Sequence, residues 1–128
     1  KRLKANFLVK HQLAGIGGID EQPIVSNAKD ISGGGVRFWT ERFWPEGTLL
    51  KVSVHIPDLD KEIEAYGRVV RSRRAPNTFM YYVSVSFVQI EKDQQKELID
   101  YIDAFTLRNT TRHLVDHHTV AMRIPQPQ

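Results

Sequence analysis

From Thr48 onward the chain alternates, with Leu50, Val52, Val54 and Ile56 separated by Lys51, Ser53 and His55. A two-residue period of this kind sets one face of a strand in a core and the other in water. Pro57-Asp58-Leu59-Asp60 supplies turn residues. Ile63, Ala65, Gly67 and Val69 then resume on one parity against Glu62, Glu64, Tyr66 and Arg68. This strand is expected to reach about Arg73 and to end at Ala75-Pro76-Asn77-Thr78. Its partner is expected over Phe79 to Val88, with Tyr81, Val83, Val85 and Phe87 on one face.

Earlier β-prone runs are Phe7 to Leu13, Pro23 to Ala28 continuing into Lys29 and Asp30, and Val36 to Trp39. Glycines break the chain after Leu13 and again at Gly33-Gly34-Gly35, where a tight turn between strands is expected. Short loops favour antiparallel neighbours, so this much predicts a small all-β barrel or sandwich. After Ile90 the period changes. Leu98, Ile99, Ile102 and Phe105 recur at helical spacing, which predicts an amphipathic helix over residues 92–105, resting on the sheet or plugging a barrel mouth. Residues 1–107 are expected as one domain and 108–128 as a tail, partly ordered or with one short extra element.

A chain of 128 residues, 41% apolar and 26% charged, has the composition of a single soluble domain. The chain lacks an initiator Met, so a fragment or a trimmed start is expected, and no sustained apolar stretch reads as a signal peptide or reaches the roughly 20 residues of a membrane span. The absence of cysteine excludes disulfides, thiolate zinc ligands and a thiol nucleophile, and fits a cytoplasmic location.

Charge is uneven. Residues 1–40 carry six Lys/Arg against three Asp/Glu, and residues 65–90 carry four arginines and no acid. Two basic segments that met in the fold would make an anion-attracting surface. Solvated strand faces account for the same charges.

Enzyme chemistry finds little support. His113, His117 and Asp116 have helical spacing for a metal site, but they sit on a weakly patterned tail and read as an accidental cluster. No His-Glu-x-x-His, phosphate-binding loop of the Walker type or nucleophile elbow occurs. The expectation is therefore a binding module with no catalytic residues, metal or cofactor. Its strongest local feature is Asp30-Ile31-Ser32-Gly33-Gly34-Gly35. Three glycines open backbone conformations closed to other residues and let a ligand lie on the main chain, where amides and the Ser32 hydroxyl can face an anion. Asp30 suits a guanine's N1 and N2 donors, or an arginine that it anchors; it or Ser32 can equally cap its own turn. Arg2, beside Lys1 and Lys4, offers a planar fork to a phosphate or a guanine edge.

Taken together, the basic start, Asn27 to Phe38 with Asp30-Ile31-Ser32-Gly33-Gly34-Gly35, Gly67-Arg68-Val69-Val70-Arg71, Val83-Ser84-Val85-Ser86-Phe87 and the closing helix resemble a PilZ domain over roughly residues 1–105. Asp30, Ser32 and Gly35 match that family's Asp-x-Ser-x-x-Gly element in full. The resemblance implies a six-stranded antiparallel β-barrel with a C-terminal helix. It also implies a module that senses the bacterial second messenger cyclic di-GMP, held by Arg2, Asp30, Ser32, Gly33, Gly34 and Gly35. Arg2 takes the second place of the family's Arg-x-x-x-Arg motif, whose first arginine would precede residue 1. Where the family commonly has glycine, this chain has Ser84.

Ordering of the N-terminal arm would relay the signal to an attached domain or a downstream effector protein. The alternative is a degenerate module that no longer binds the nucleotide and engages proteins through Trp39, Phe43, Trp44 or Tyr82. A nucleic-acid-binding barrel using Arg68, Arg71, Arg73 and Arg74 is the weakest reading, since a solvated face explains these arginines.

Overall fold

The computed structural model describes residues 3–15 and 22–117. Six strands, β1 (Leu3–Leu13), β2 (Ile24–Ser32), β3 (Gly35–Thr40), β4 (Leu49–Ile56), β5 (Lys61–Arg74) and β6 (Tyr81–Ile90), are followed by the helix α1 (Lys92–His117). They close a barrel in the order β1-β2-β3-β6-β5-β4, with every neighbouring pair antiparallel. Closure satisfies the backbone of every strand on both sides and leaves no long edge.

The alternation read from the sequence fills the interior. Leu50, Val52, Val54 and Ile56 of β4, Ile63, Ala65 and Val69 of β5, and Val83 and Val85 of β6 are all buried. They meet Phe7, Val9, Ala28, Ile31, Val36 and Phe38 from the other three strands in one core. Leu98 and Ile102 of α1 are buried in the same cluster, with Tyr101 and Phe105 packed against it, so the helix closes one mouth of the barrel.

Two boundaries and one burial differ from the sequence expectation. β6 starts at Tyr81, not Phe79, because residues 75–80 form a hydrogen-bonded turn and Phe79 stands in it. α1 runs to His117, past the expected end at 105, since neither Pro nor Gly interrupts residues 92–117. The helix thus takes up residues 108–117 of the expected tail; residues 118–128 lie outside the described residues. Trp44, expected as an exposed anchor, is a core residue with 2% exposure.

The reason is His11. Its ring is fully buried between Phe38 (centroids 4.4 Å apart) and Trp44 (5.9 Å). The Trp44 indole N–H donates to His11 Nδ1 at 2.9 Å. An indole nitrogen can only donate, so Nδ1 must accept and the proton of the neutral ring sits on Nε2, 2.8 Å from Ser26 Oγ. Burial, with the Arg42 charge adding to it, lowers the His11 pKa from 6.5 to about 4.

Candidate ligand-binding site

A two-residue turn at Gly33-Gly34 pairs Ser32 with Gly35, Ile31 with Val36 and Asp30 with Arg37. Between Asp30 and Ala28 the register shifts, because Ala28 is already opposite Phe38. Lys29 is therefore the extra residue of a β-bulge, a device that re-aims the side chains beside it. Arg37 lies between Val36 and Phe38, whose side chains point into the barrel, so it and its partner Asp30 share the outer wall.

Asp30 is nonetheless 1% exposed. Arg37 Nε donates to its Oδ1 at 2.8 Å, and the guanidinium remains one-third exposed. That hydrogen bond is the main cause raising the Arg37 pKa above its ordinary value, with smaller contributions from the Asp30 charge and Tyr82. Of the roles open to Asp30 in the sequence, the anchoring of an arginine is the one that its geometry displays.

Ser32 closes its own turn. Its Oγ accepts from Gly34 N at 3.2 Å and lies 3.5 Å from Gly35 O, to which it donates. The glycines have separate roles, none of them left-handed: among the described glycines, positive φ occurs at Gly15 and Gly47. What they allow is close approach. A Cβ on Gly35 would overlap the Val85 carbonyl, and one on Gly33 would come 2.7 Å from Ile99 Cγ1 of α1. Gly34 is exposed, and a Cβ there would meet nothing nearer than Ser32 Oγ at 3.9 Å. Conformational freedom, the sequence-based reason for this triplet, is thus replaced by packing at two positions and open access at the third.

The turn is fastened to its surroundings. Gln95 Nε2 of α1 donates to Gly33 O at 2.9 Å, and Phe87 N donates to Gly34 O at 2.8 Å. Between turn and helix lies a cleft of about 530 Å³, lined by Ser32, Gly33, Gly34, Gln95, Ile99, Ile102 and Asp103. A larger groove of about 760 Å³ lies along Ile24 to Asn27 and Trp39 to Arg42 and includes none of these turn residues.

Sheet register brings the two basic segments together. In backbone register Lys4 is opposite Asp30, and across the outer wall Asp30 pairs with Arg37, Arg37 with Ser84, and Ser84 with Arg71. Arg71 is exposed, and among the described residues no hydrogen bond or ion pair holds it. Arg68, one row over, is held by the Gly47 carbonyl at 2.8 Å. Arg2 lies outside the described residues; β1 begins at Leu3, opposite Ile31, so the strand enters the barrel beside the turn. Arg37, Arg71 and Gln95 were not singled out for the site from sequence. Arg37 could have been, since a two-residue turn at Gly33-Gly34 fixes its pairing with Asp30.

The family model for the PilZ domain matches residues 4–104. The chain belongs to the PilZ family. PilZ domains are non-catalytic regulatory modules, and among the described residues no group of three or more metal-ligating side chains is assembled. No curated protein matches the chain.

Solved structures share the fold. The Bacillus subtilis inhibitor of motility MotI/DgrA matches with a TM-score of 0.70 and 21% identity, covering 84% of this chain and 49% of that one. The K. pneumonia MrkH–c-di-GMP complex matches at 0.68 and 20%, covering 88% and 53%. The PilZ domain with c-di-GMP of YcgR from Escherichia coli matches at 0.62 and 17%, covering 91% and 95%. This PilZ domain spans about half the length of MotI/DgrA and of MrkH, and nearly all of the YcgR domain.

Proposed function

We propose that this PilZ domain senses cyclic di-GMP on the outer wall formed by the Ser32–Gly35 turn, Arg37 and Arg71, with Arg2 closing over the ligand from the chain start. The observation that carries the reading is the Asp30–Arg37 pair, 2.8 Å long, beside a turn whose exposed glycine admits a ligand to the main chain. A carboxylate that is itself buried fixes the planar guanidinium, so little rotamer entropy is lost when Arg37 meets a phosphate or the O6/N7 edge of a guanine. Ser32 keeps the turn in shape, and Gly33 to Gly35 keep it free of side chains. Solved relatives of the same fold hold c-di-GMP, which supports this ligand over other anions.

The relay is part of the proposal. Ordering of the arm that carries Arg2 would reorient an attached domain or expose a surface to an effector protein. A cytoplasmic setting goes with such a messenger; among the described residues no helix is long and apolar enough to cross a membrane.

Calorimetric titration of the chain extended upstream to place an arginine four positions before Arg2 tests the reading. Binding at micromolar ligand is expected, abolished by Arg37→Ala and weakened at least tenfold by Arg2→Ala. Asp30 and Ser32 already have internal partners, the observation that favours the non-binding alternative. A silent titration of the folded protein, together with a pull-down that retains a specific protein, establishes that alternative, a module that engages other proteins.

A further inference from the structure

β6 runs from Tyr81 at the β5–β6 turn to Ile90, just before α1, so the turn and the helix lie at opposite ends of a strand about 30 Å long. The turn is tied by its own backbone and one hydroxyl. Ala75 N donates to Met80 O at 2.9 Å, Thr78 Oγ1 donates to Ala75 O and accepts from Met80 N (3.0 Å each), and Asn77 adopts φ 59°. Arg74 Nε donates to Thr78 O at 3.1 Å. A turn held this firmly presents Phe79 with 81% of its surface exposed, more than any other large hydrophobic residue among those described.

Below this apex the side chains change in layers. Phe43, 52% exposed, stands 5.3 Å from the Tyr81 ring, measured between centroids. One residue further along β6, Tyr82 pairs with Trp39 at 4.8 Å, and Lys29 Nζ lies over both rings at 5.2 and 5.8 Å. Arg73, opposite Tyr82, and Arg74, whose guanidinium covers one face of Phe79 at 5.9 Å, supply the charge. Asp and Glu are absent from residues 65–90, and among the described residues the acids at this end, Glu41 and Glu46, belong to the β3–β4 connection. Positive charge is therefore concentrated on the hairpin.

We propose that the β5–β6 turn docks the domain on the surface of an anionic lipid bilayer, with Phe79 entering the headgroup layer. The geometry favours lipid over a macromolecular partner of fixed shape. Phe79 is not part of the groove that its neighbour Met80 lines with Trp39 to Arg42, but stands clear of it at the tip of the turn, and the guanidinium on one face leaves half a platform for a nucleic-acid base. A bilayer needs neither shape nor stacking. It rewards an apolar tip, a belt of Trp and Tyr about three residues deeper, and cations at headgroup level.

Co-sedimentation of the 128-residue chain with vesicles of phosphatidylcholine, alone or mixed with phosphatidylglycerol, tests this. Pelleting is expected with the anionic vesicles and not the neutral ones, and is expected to fall with added salt. Phe79→Ala should weaken partitioning about tenfold, and the double change Arg73→Gln with Arg74→Gln roughly twentyfold. Both variants alter exposed positions, and unchanged thermal unfolding will verify that they fold. Absence of pelleting, equal pelleting with neutral vesicles, or insensitivity to both variants overturns the proposal. Salt-sensitive retention of single-stranded DNA without vesicle binding overturns it in favour of a nucleic-acid surface.

Discussion

Asp30 of β2 and His11 of β1 show what single residues decide here. Asp30 owes its burial to the bulge at Lys29 and its compatibility with burial to Arg37. Arg37→Lys keeps the charge but loses the planar fork. It is expected to leave the fold intact while reducing c-di-GMP binding at least tenfold by calorimetry. Asp30→Ala removes the anchor as well and is expected to cost about 2 kcal/mol of stability in urea titrations.

His11 makes the barrel sensitive to acid. The unfolded chain holds a proton on this ring below its ordinary pKa of 6.5, whereas the folded chain takes one only below about 4. Between those values the unfolded state binds more protons, so the His11 contribution is full above pH 6.5, falls as pH drops, and levels off below about 4. The total loss is about 3 kcal/mol. A second proton would place an N–H on Nδ1 against the Trp44 indole donor. In a titration followed by NMR, His11 should remain neutral at pH 5.

At the scale of elements, the β2–β3 turn and α1 form one unit through Gln95 and Ile99. The two closely packed glycine positions of the turn should respond differently to a methyl group. Gly35→Ala sets a Cβ against the rigid Val85 backbone and is expected to destabilise by about 2–3 kcal/mol. Gly33→Ala meets only the flexible Ile99 side chain, so a cost of about 1 kcal/mol is expected, recovered in part by Ile99→Ala. Gly34→Ala, with open space above it, should be silent in thermal unfolding and informative in ligand titration. If Gly33 and Gly34 variants unfold alike, the docking of helix on turn is not as described.

For the whole molecule, ligand binding and folding are linked. At a ligand concentration about a hundred times Kd, a chain that binds c-di-GMP gains about 2.7 kcal/mol. Chemical unfolding of the chain extended upstream by that arginine should show that gain, and Arg37→Ala should erase it.

Much of this architecture could be read in advance from the alternating strands β4, β5 and β6, because a two-residue period has one geometric meaning once an apolar core must form. The Asp30 to Gly35 segment likewise announced the turn between β2 and β3. Composition and periodicity are local, and they determined the strands, the helix start and the family motif. Tertiary structure alone decided which partners those residues received. The fate of Trp44 followed from His11, a residue 33 positions away in sequence. The meeting of Arg37 with Arg71 followed from β3 pairing with β6, a long-range contact that no local pattern encodes. The role of Gly33 waited on where α1 came to rest. Each is a contact between segments distant in the chain, fixed by closure of the barrel.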